Sequence, residues 1–147
     1  MQAANRALVA TDRVSAGLAV LRVIVGIVFA AHGAQKIFVY GFAGTAGAFG
    51  EMGIPMAGIA GPLVALTELL GGIALIAGLL TRWASLGLSV VMLGAILIAH
   101  LAGGFFMPTG VEFPLTLMAA ALALMLAGPG EYSVDAALAR RRNPVSA

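Results

Sequence analysis

The residues that could do chemistry are few, and they lie where charge is costly. His32, Lys36, Glu68, His100 and Glu112 fall inside long apolar runs or at their ends. A charged side chain in a hydrocarbon layer costs several kcal/mol, about 2.5–3.5 on insertion scales, so such groups turn inward and pair. Histidine titrates near neutrality, and a carboxylate beside it can take up or release the same proton. Glu68, His32 and His100 are therefore the candidates for proton handling. Lys36, Gln35, Glu112 and Phe105 are candidates for holding a ligand next to them. Each residue also has a structural reading. Glu68 would neutralise Lys36 or His32, each imidazole would bond a carbonyl on a neighbouring helix, and Lys36 would reach the headgroups. Glu112 would sit at a helix start because the dipole favours it there, and Arg22 would snorkel or cap a partner helix. No metal site is expected, because no His or Glu pair has i,i+4 spacing and Lys36 would compete for the carboxylates.

The composition says what positions these groups. Of 147 residues, 61% are hydrophobic and only 10% charged, against about 25% charged in ordinary soluble domains. The mean hydropathy is +1.06. So few charges could not build a water-soluble shell, so the expected solvent is the bilayer. There is no cysteine, which excludes disulfides, thiolate metal sites and thiol redox couples. The net charge is +2, and three arginines cluster at Arg140–Arg142, so the basic balance is no sign of nucleic acid.

A crossing helix needs about 20 apolar residues. Four stretches approach that length, at residues 17–40, 59–80, 83–101 and 112–127, and one membrane domain covers 1–147. The fold class expected is all-α, a membrane four-helix bundle. The fourth span is short and implies a tilted neighbour or local thinning. Arg6 and Arg13 before the first span resemble a signal peptide, but the run is long, contains Arg22 and lacks a small-residue cleavage site, so it reads as uncleaved. The link from Gly41 to Gly58 carries Phe42, Phe49 and Met52 at helical spacing. It reads as a short interfacial helix, with Thr45 as a cap and Gly53 with Pro55 as a stop. After Gly128-Pro129-Gly130 comes a short amphipathic helix capped by Ser133, with Asp135 early and three arginines late.

Positive charge sets the orientation. Arg6, Arg13, Arg82 and Arg140–Arg142 place both termini and the tight second hairpin in the cytoplasm. On that topology His32 lies about 10 Å, and Glu68 about 13 Å, below the outer helix ends. Arg22, Gly26, Phe29, Gly33 and Lys36 share one face of the first helix, which must look into the bundle. Gly71-Gly72 and the Gly87/Gly94 spacing read as points of close helix approach. Ala31–Phe38 and Ala99–Phe106 align at Ala, His, Ala and Phe, either by chance or as a parallel repeat that would bring His32 and His100 to one central space.

From Leu21 to Asp135 the chain resembles the DoxX family of small bacterial membrane proteins. The resemblance rests on His32-Gly33 with Gln35-Lys36, Gly61-Pro62, Glu68-Leu69-Leu70-Gly71-Gly72, Gly78-Leu79-Leu80-Thr81-Arg82, His100 with Gly104-Phe105-Phe106, Glu112 and Gly128-Pro129-Gly130. It implies a multi-pass protein of the bacterial inner membrane, in a family associated with thiosulfate:quinone oxidoreductase and with oxidative-stress complexes. The expectation is an accessory or quinone-facing subunit with redox partners in the membrane. Thiol-based relatives are excluded as guides, since this chain has no cysteine. The alternative is a non-enzymatic small-solute carrier or assembly factor whose polar cluster is structural.

Overall fold

The computed structural model describes the backbone of residues 2–142 and the side chains of residues 11–142. The Arg6 side chain and residues 143–147 lie outside the described residues. Helix α1 (Gln2–Ala34) continues as a π-helix over Gln35–Val39, and α2 (Gly41–Glu51) follows at once. Next come α3 (Ala57–Ala77) and α4 (Thr81–Gly94), which widens into a second π-helix over Ala95–His100 and ends in a 3₁₀ turn at Leu101–Gly103. Helices α5 (Glu112–Ala127) and α6 (Val134–Arg142) complete the chain. No strand occurs among the described residues. The first helix starts well before the expected Gly17, because the polar residues preceding the apolar run stay helical.

Three of these helical runs are long and apolar enough to cross a membrane: Thr11–Val39, Ala57–Ala77 and Thr81–Gly103. The fourth, α5, has 16 residues and is about 24 Å long. That is less than a typical hydrocarbon core of about 30 Å. The large side chains Val20, Ile24, Leu63, Leu70, Val90 and Leu126 point outward. In water such a surface would be untenable, and in lipid it is the natural exterior. The protein is an all-α membrane bundle.

Helices α1 and α3 run antiparallel and touch backbone to backbone. A Cβ on Gly26 would stand 2.7 Å from the Gly72 carbonyl oxygen, and one on Gly33 would stand 2.8 Å from that of Ala65. Small residues are what membrane helices use to approach this closely. Gly71 faces the other way and admits Leu88 of α4. The core then closes with Val25, Phe29, Leu75, Leu88, Met92, Leu117 and Leu124. The buried face of α4 is partly small and polar: Thr81, Ser85 and Ser89 are buried, and Ser89 donates to the Ser85 carbonyl at 2.8 Å.

The end of the bundle where α3 ends and α4 begins is fastened by two charges. Arg22 donates to the Leu75 and Ile76 carbonyls at 2.7 and 2.8 Å, capping the last turn of α3, and to the Tyr132 carbonyl at 2.7 Å. Of the two readings open to Arg22, the structure takes the cap. Asp135 accepts from the Leu80 and Thr81 amides at 2.8 and 3.0 Å. It therefore caps the start of α4 across the chain. Cation at a helix C-terminus and anion at an N-terminus both suit the dipoles. Ser133 caps α6 as expected, accepting from the Ala136 amide at 3.1 Å. Thr45 does not cap α2; it lies mid-helix, buried, and donates to the Lys36 carbonyl at 2.9 Å. Replacing Arg22 by Ala should cost about 2–4 kcal/mol, the range for losing charged hydrogen bonds from a buried position. Thermal unfolding in detergent reads this, and Arg22→Lys should recover only part, because a compact ammonium lacks the second nitrogen with which the guanidinium reaches Tyr132 while the first holds Leu75 and Ile76.

Candidate functional site

At the opposite, distal end, α1 enters its π turn as it passes α3. Gly33 lets the backbones meet, and one turn later Lys36 reaches Glu68. Lys36 Nζ donates to Glu68 Oε2 at 2.6 Å, with the side chains 21% and 5% exposed. Of the partners foreseen for Glu68, the structure selects Lys36. Oε1 of the same carboxylate receives no hydrogen bond from a described residue, so half its accepting capacity is unused.

That pair borders a cleft of about 580 Å³ between α3 and α4, within the size range of small-molecule sites. The α3 wall is Ala60, Leu63, Val64 and Thr67; the α4 wall runs from Gly87 through Val90, Val91 and Gly94 into the π segment as far as His100. Phe49 and Met52 of α2, with Ile54, also line it. The cleft is apolar apart from Lys36, Glu68, Thr67 and His100, and Thr67 spends its hydroxyl on the Leu63 carbonyl at 2.8 Å. Leu63, Val90 and Ile98 are 61, 61 and 51% exposed, so the walls continue into the lipid-facing surface. A hydrophobic molecule could enter sideways without crossing water. π turns recur at functional sites because they re-aim side chains that an α-helix would hold elsewhere. Here one carries Lys36 and the other forms part of the cleft wall.

The structure brings together Lys36, Glu68 and His100, and leaves the other candidates apart. His100 Nδ1 stands 3.1 Å from the Thr109 carbonyl. A carbonyl only accepts, so this nitrogen carries the proton and, in the neutral ring, Nε2 is left as an acceptor. His32 is exposed on another side of α1, its ring centroid 6.0 Å from that of Phe113 in α5. It does not line the cleft, so of the two readings of the octapeptide match the structure leaves chance, with no central space shared by the two histidines. The reason is rotational: Gly33 and Lys36 point at α3, and His32 lies about 100° round the helix from Gly33. The octapeptide match does not extend to local structure either. Ala31–Ala34 is α-helical and leads into a π turn, whereas after His100 the second copy passes through a 3₁₀ turn into a loop.

Gln35 is exposed on the π segment, where its carbonyl accepts from the Tyr40 amide. Glu112 opens α5 as expected but turns back, accepting from the Met107 amide at 2.7 Å. Phe105 is exposed and packs edge-on against Phe106, centroids 5.2 Å apart. These three shape the distal surface rather than the cleft. Among the described residues no three His, Asp or Glu side chains converge on a metal position. The residues that sequence reasoning missed are the cleft walls, above all Gly87 and Gly94. Their spacing was visible and was assigned to helix packing. That assignment is corrected: a Cβ on Gly94 would meet nothing within 4 Å, and one on Gly87 only the Thr67 methyl at 3.5 Å.

The DoxX family pattern matches residues 17–101, and the chain belongs to the DoxX family. Among its relatives, a membrane protein of Mycobacterium tuberculosis is 33% identical, over 82% of this chain and 80% of its own. CatD of Bacillus subtilis, whose name assigns it provisionally to the oxidoreductases, is 33% identical over 81% of this chain and 84% of its own. The Escherichia coli inner membrane protein YqjF is 35% identical over 85% and 94%. No solved structure matches the chain significantly.

The ion pair makes a stability prediction. Glu68→Ala leaves a part-buried ammonium unpaired and should cost up to about 3–5 kcal/mol, whereas replacing both partners together, as Lys36→Met with Glu68→Leu, should restore near-native thermal stability. Glu68→Gln keeps an acceptor for Lys36 and should fall between. Melting curves in one detergent rank the three.

Proposed function

We propose that this chain is an inner-membrane subunit that receives the head of a lipid-soluble quinone beside the Lys36–Glu68 pair. In this role it supports proton transfer for a membrane redox system. The observation that carries the reading is the half-used Glu68 carboxylate, buried at an apolar cleft that is open to lipid. A ligand that lives in the bilayer reaches such a place by lateral diffusion. A ring bearing a hydroxyl finds an acceptor in Glu68 Oε1, and one bearing a carbonyl finds the remaining N–H groups of Lys36. The absence of cysteine leaves thiol exchange out. The oxidoreductase name of CatD, a relative across most of both chains, agrees with a redox setting. Electron transfer itself is assigned to partner proteins.

Orientation belongs to the same reading. Arg13, Arg82 and Arg140–Arg142 all sit at the end of the bundle where α3 ends and α4 begins, which we assign to the cytoplasm on the positive-inside tendency. The cleft then lies in the outer half of the membrane. YqjF, named for the inner membrane, supports placement in that membrane.

Reporter fusions after Ala147 and within the Arg82 hairpin should read cytoplasmic, and fusions at Gly47 or Thr109 external; an external C-terminus contradicts the assignment. For the ligand, protein purified gently in mild detergent should retain a quinone, detectable by solvent extraction and chromatography. The Lys36→Met, Glu68→Leu double variant, folded but without the polar pair, should lose it. Wild-type protein with no quinone above the detergent background would overturn the reading in favour of a structural ion pair.

A further inference from the structure

Gly87 and Gly94 lie one heptad apart on α4, on the wall of the cleft. Glycine inside a helix is costly, since it loses more backbone freedom on folding than any other residue. Two structural needs ordinarily justify it, and neither applies at Gly94. Its backbone is plain right-handed helix, φ −59° and ψ −44°, which any residue adopts. No neighbouring helix presses on it, because a Cβ there would find nothing within 4 Å. Gly87 is nearly as free, with one ordinary methyl contact. Gly26, Gly33 and Gly72 show the contrast, since a Cβ on any of them would run into backbone. What Gly87 and Gly94 do is hold open the space they border. Between them lie Val90 and Val91, and Glu68 with its unused Oε1 lines the same space.

We propose that Gly87 and Gly94 are ligand-accommodating positions. Their missing side chains let a flat ring lie against the α4 backbone within the cleft, and so set the width of head the cleft admits. This rests on the quinone-type reading of the cleft and adds to it the residues that decide specificity. Glycine is the residue that allows backbone to approach a ligand closely. The ring's substituents or tail leave sideways between Leu63 and Val90, both exposed to lipid.

The test uses the full chain in detergent, with a short-tailed benzoquinone as probe and equilibrium dialysis as readout. Gly94→Ala fits without a clash and relieves the helix of a glycine, so without probe it should melt a few degrees higher than wild type. Its affinity should nevertheless fall, and Gly94→Leu, which fills the space, should raise Kd at least tenfold. Gly87→Leu should act in the same direction. Gly17→Leu, at another glycine with nothing within 4 Å, should leave Kd unchanged. Two results overturn the proposal while the quinone reading stands: Gly94→Ala melting below wild type, which would make the glycine structural, or Gly94→Leu binding the probe with wild-type Kd. A wild-type protein that does not bind the probe removes the quinone reading, and this proposal with it.

Discussion

Inside a hydrocarbon layer a cation must find its counter-ion or a set of carbonyls within the protein, because neither lipid nor water will supply them. This chain puts two cations, Arg22 and Lys36, on one face of its first helix, and both are satisfied by α3. Arg22 closes on the last carbonyls of α3 at one end, and Lys36 closes on Glu68 toward the other. Between them Gly26 and Gly33 remove the side chains that would hold the two backbones apart. The order of residues, cation, glycine, aromatic, glycine, cation, fixes the rotation and the sliding register of α1 against α3 together. The remaining helices are added to that pair, with Leu88 seated on Gly71 and α5 against the buried face of α4.

The two ends of this pair are built differently, and the difference bears on function. At the end where α3 gives way to α4, three carbonyls take Arg22, two amides take Asp135, and the segment before the last helix is tied in through the Tyr132 carbonyl, while Arg22 Nε and the Thr81 and Ser85 hydroxyls stay buried without a partner among the described residues. At the distal end the groups are left partly free. One carboxylate oxygen of Glu68 stays open, both π turns widen the helices, and two glycines leave room where packing would allow a side chain. What sets the distal end apart is that its unused acceptor belongs to a residue lining an open cleft, as a binding place requires.

Much of the fold was legible in the sequence, since 61% apolar residues in four blocks leave little choice of solvent or element. The inward face of α1 was legible too, because both of its charges demanded burial. The candidate site was legible only in part. Glu68 and Lys36 could be named as costly groups, but which would meet depended on helix pairing, and spacing within one helix does not encode that. Whether His32 faced the bundle was not legible, because it falls at the edge of the inward face and its own type does not fix its side of the helix. Thr45 looks like the cap of its own helix and instead donates to the Lys36 carbonyl, and Asp135, in the first turn of α6 as its position suggests, also caps the start of α4, which its spacing does not reveal. The π turns add a further difficulty, since i→i+5 bonding shifts every face that follows from its α-helical phase. Gly94 has the same letter as Gly26 and Gly33, and only the space around it reveals a different use.

If the space beside Lys36–Glu68 is a ligand site reached from lipid, methyl NMR should see it fill. With valine methyls labelled in the micelle-bound protein, titration with a short-tailed benzoquinone should shift Val64, Val90 and Val91, which line the cleft, saturably and together. Val25, in the core beyond α3, should stay in place. Shifts that never saturate, or that spread over outward-facing methyls such as Val20 while Val90 and Val91 are unmoved, would contradict the account.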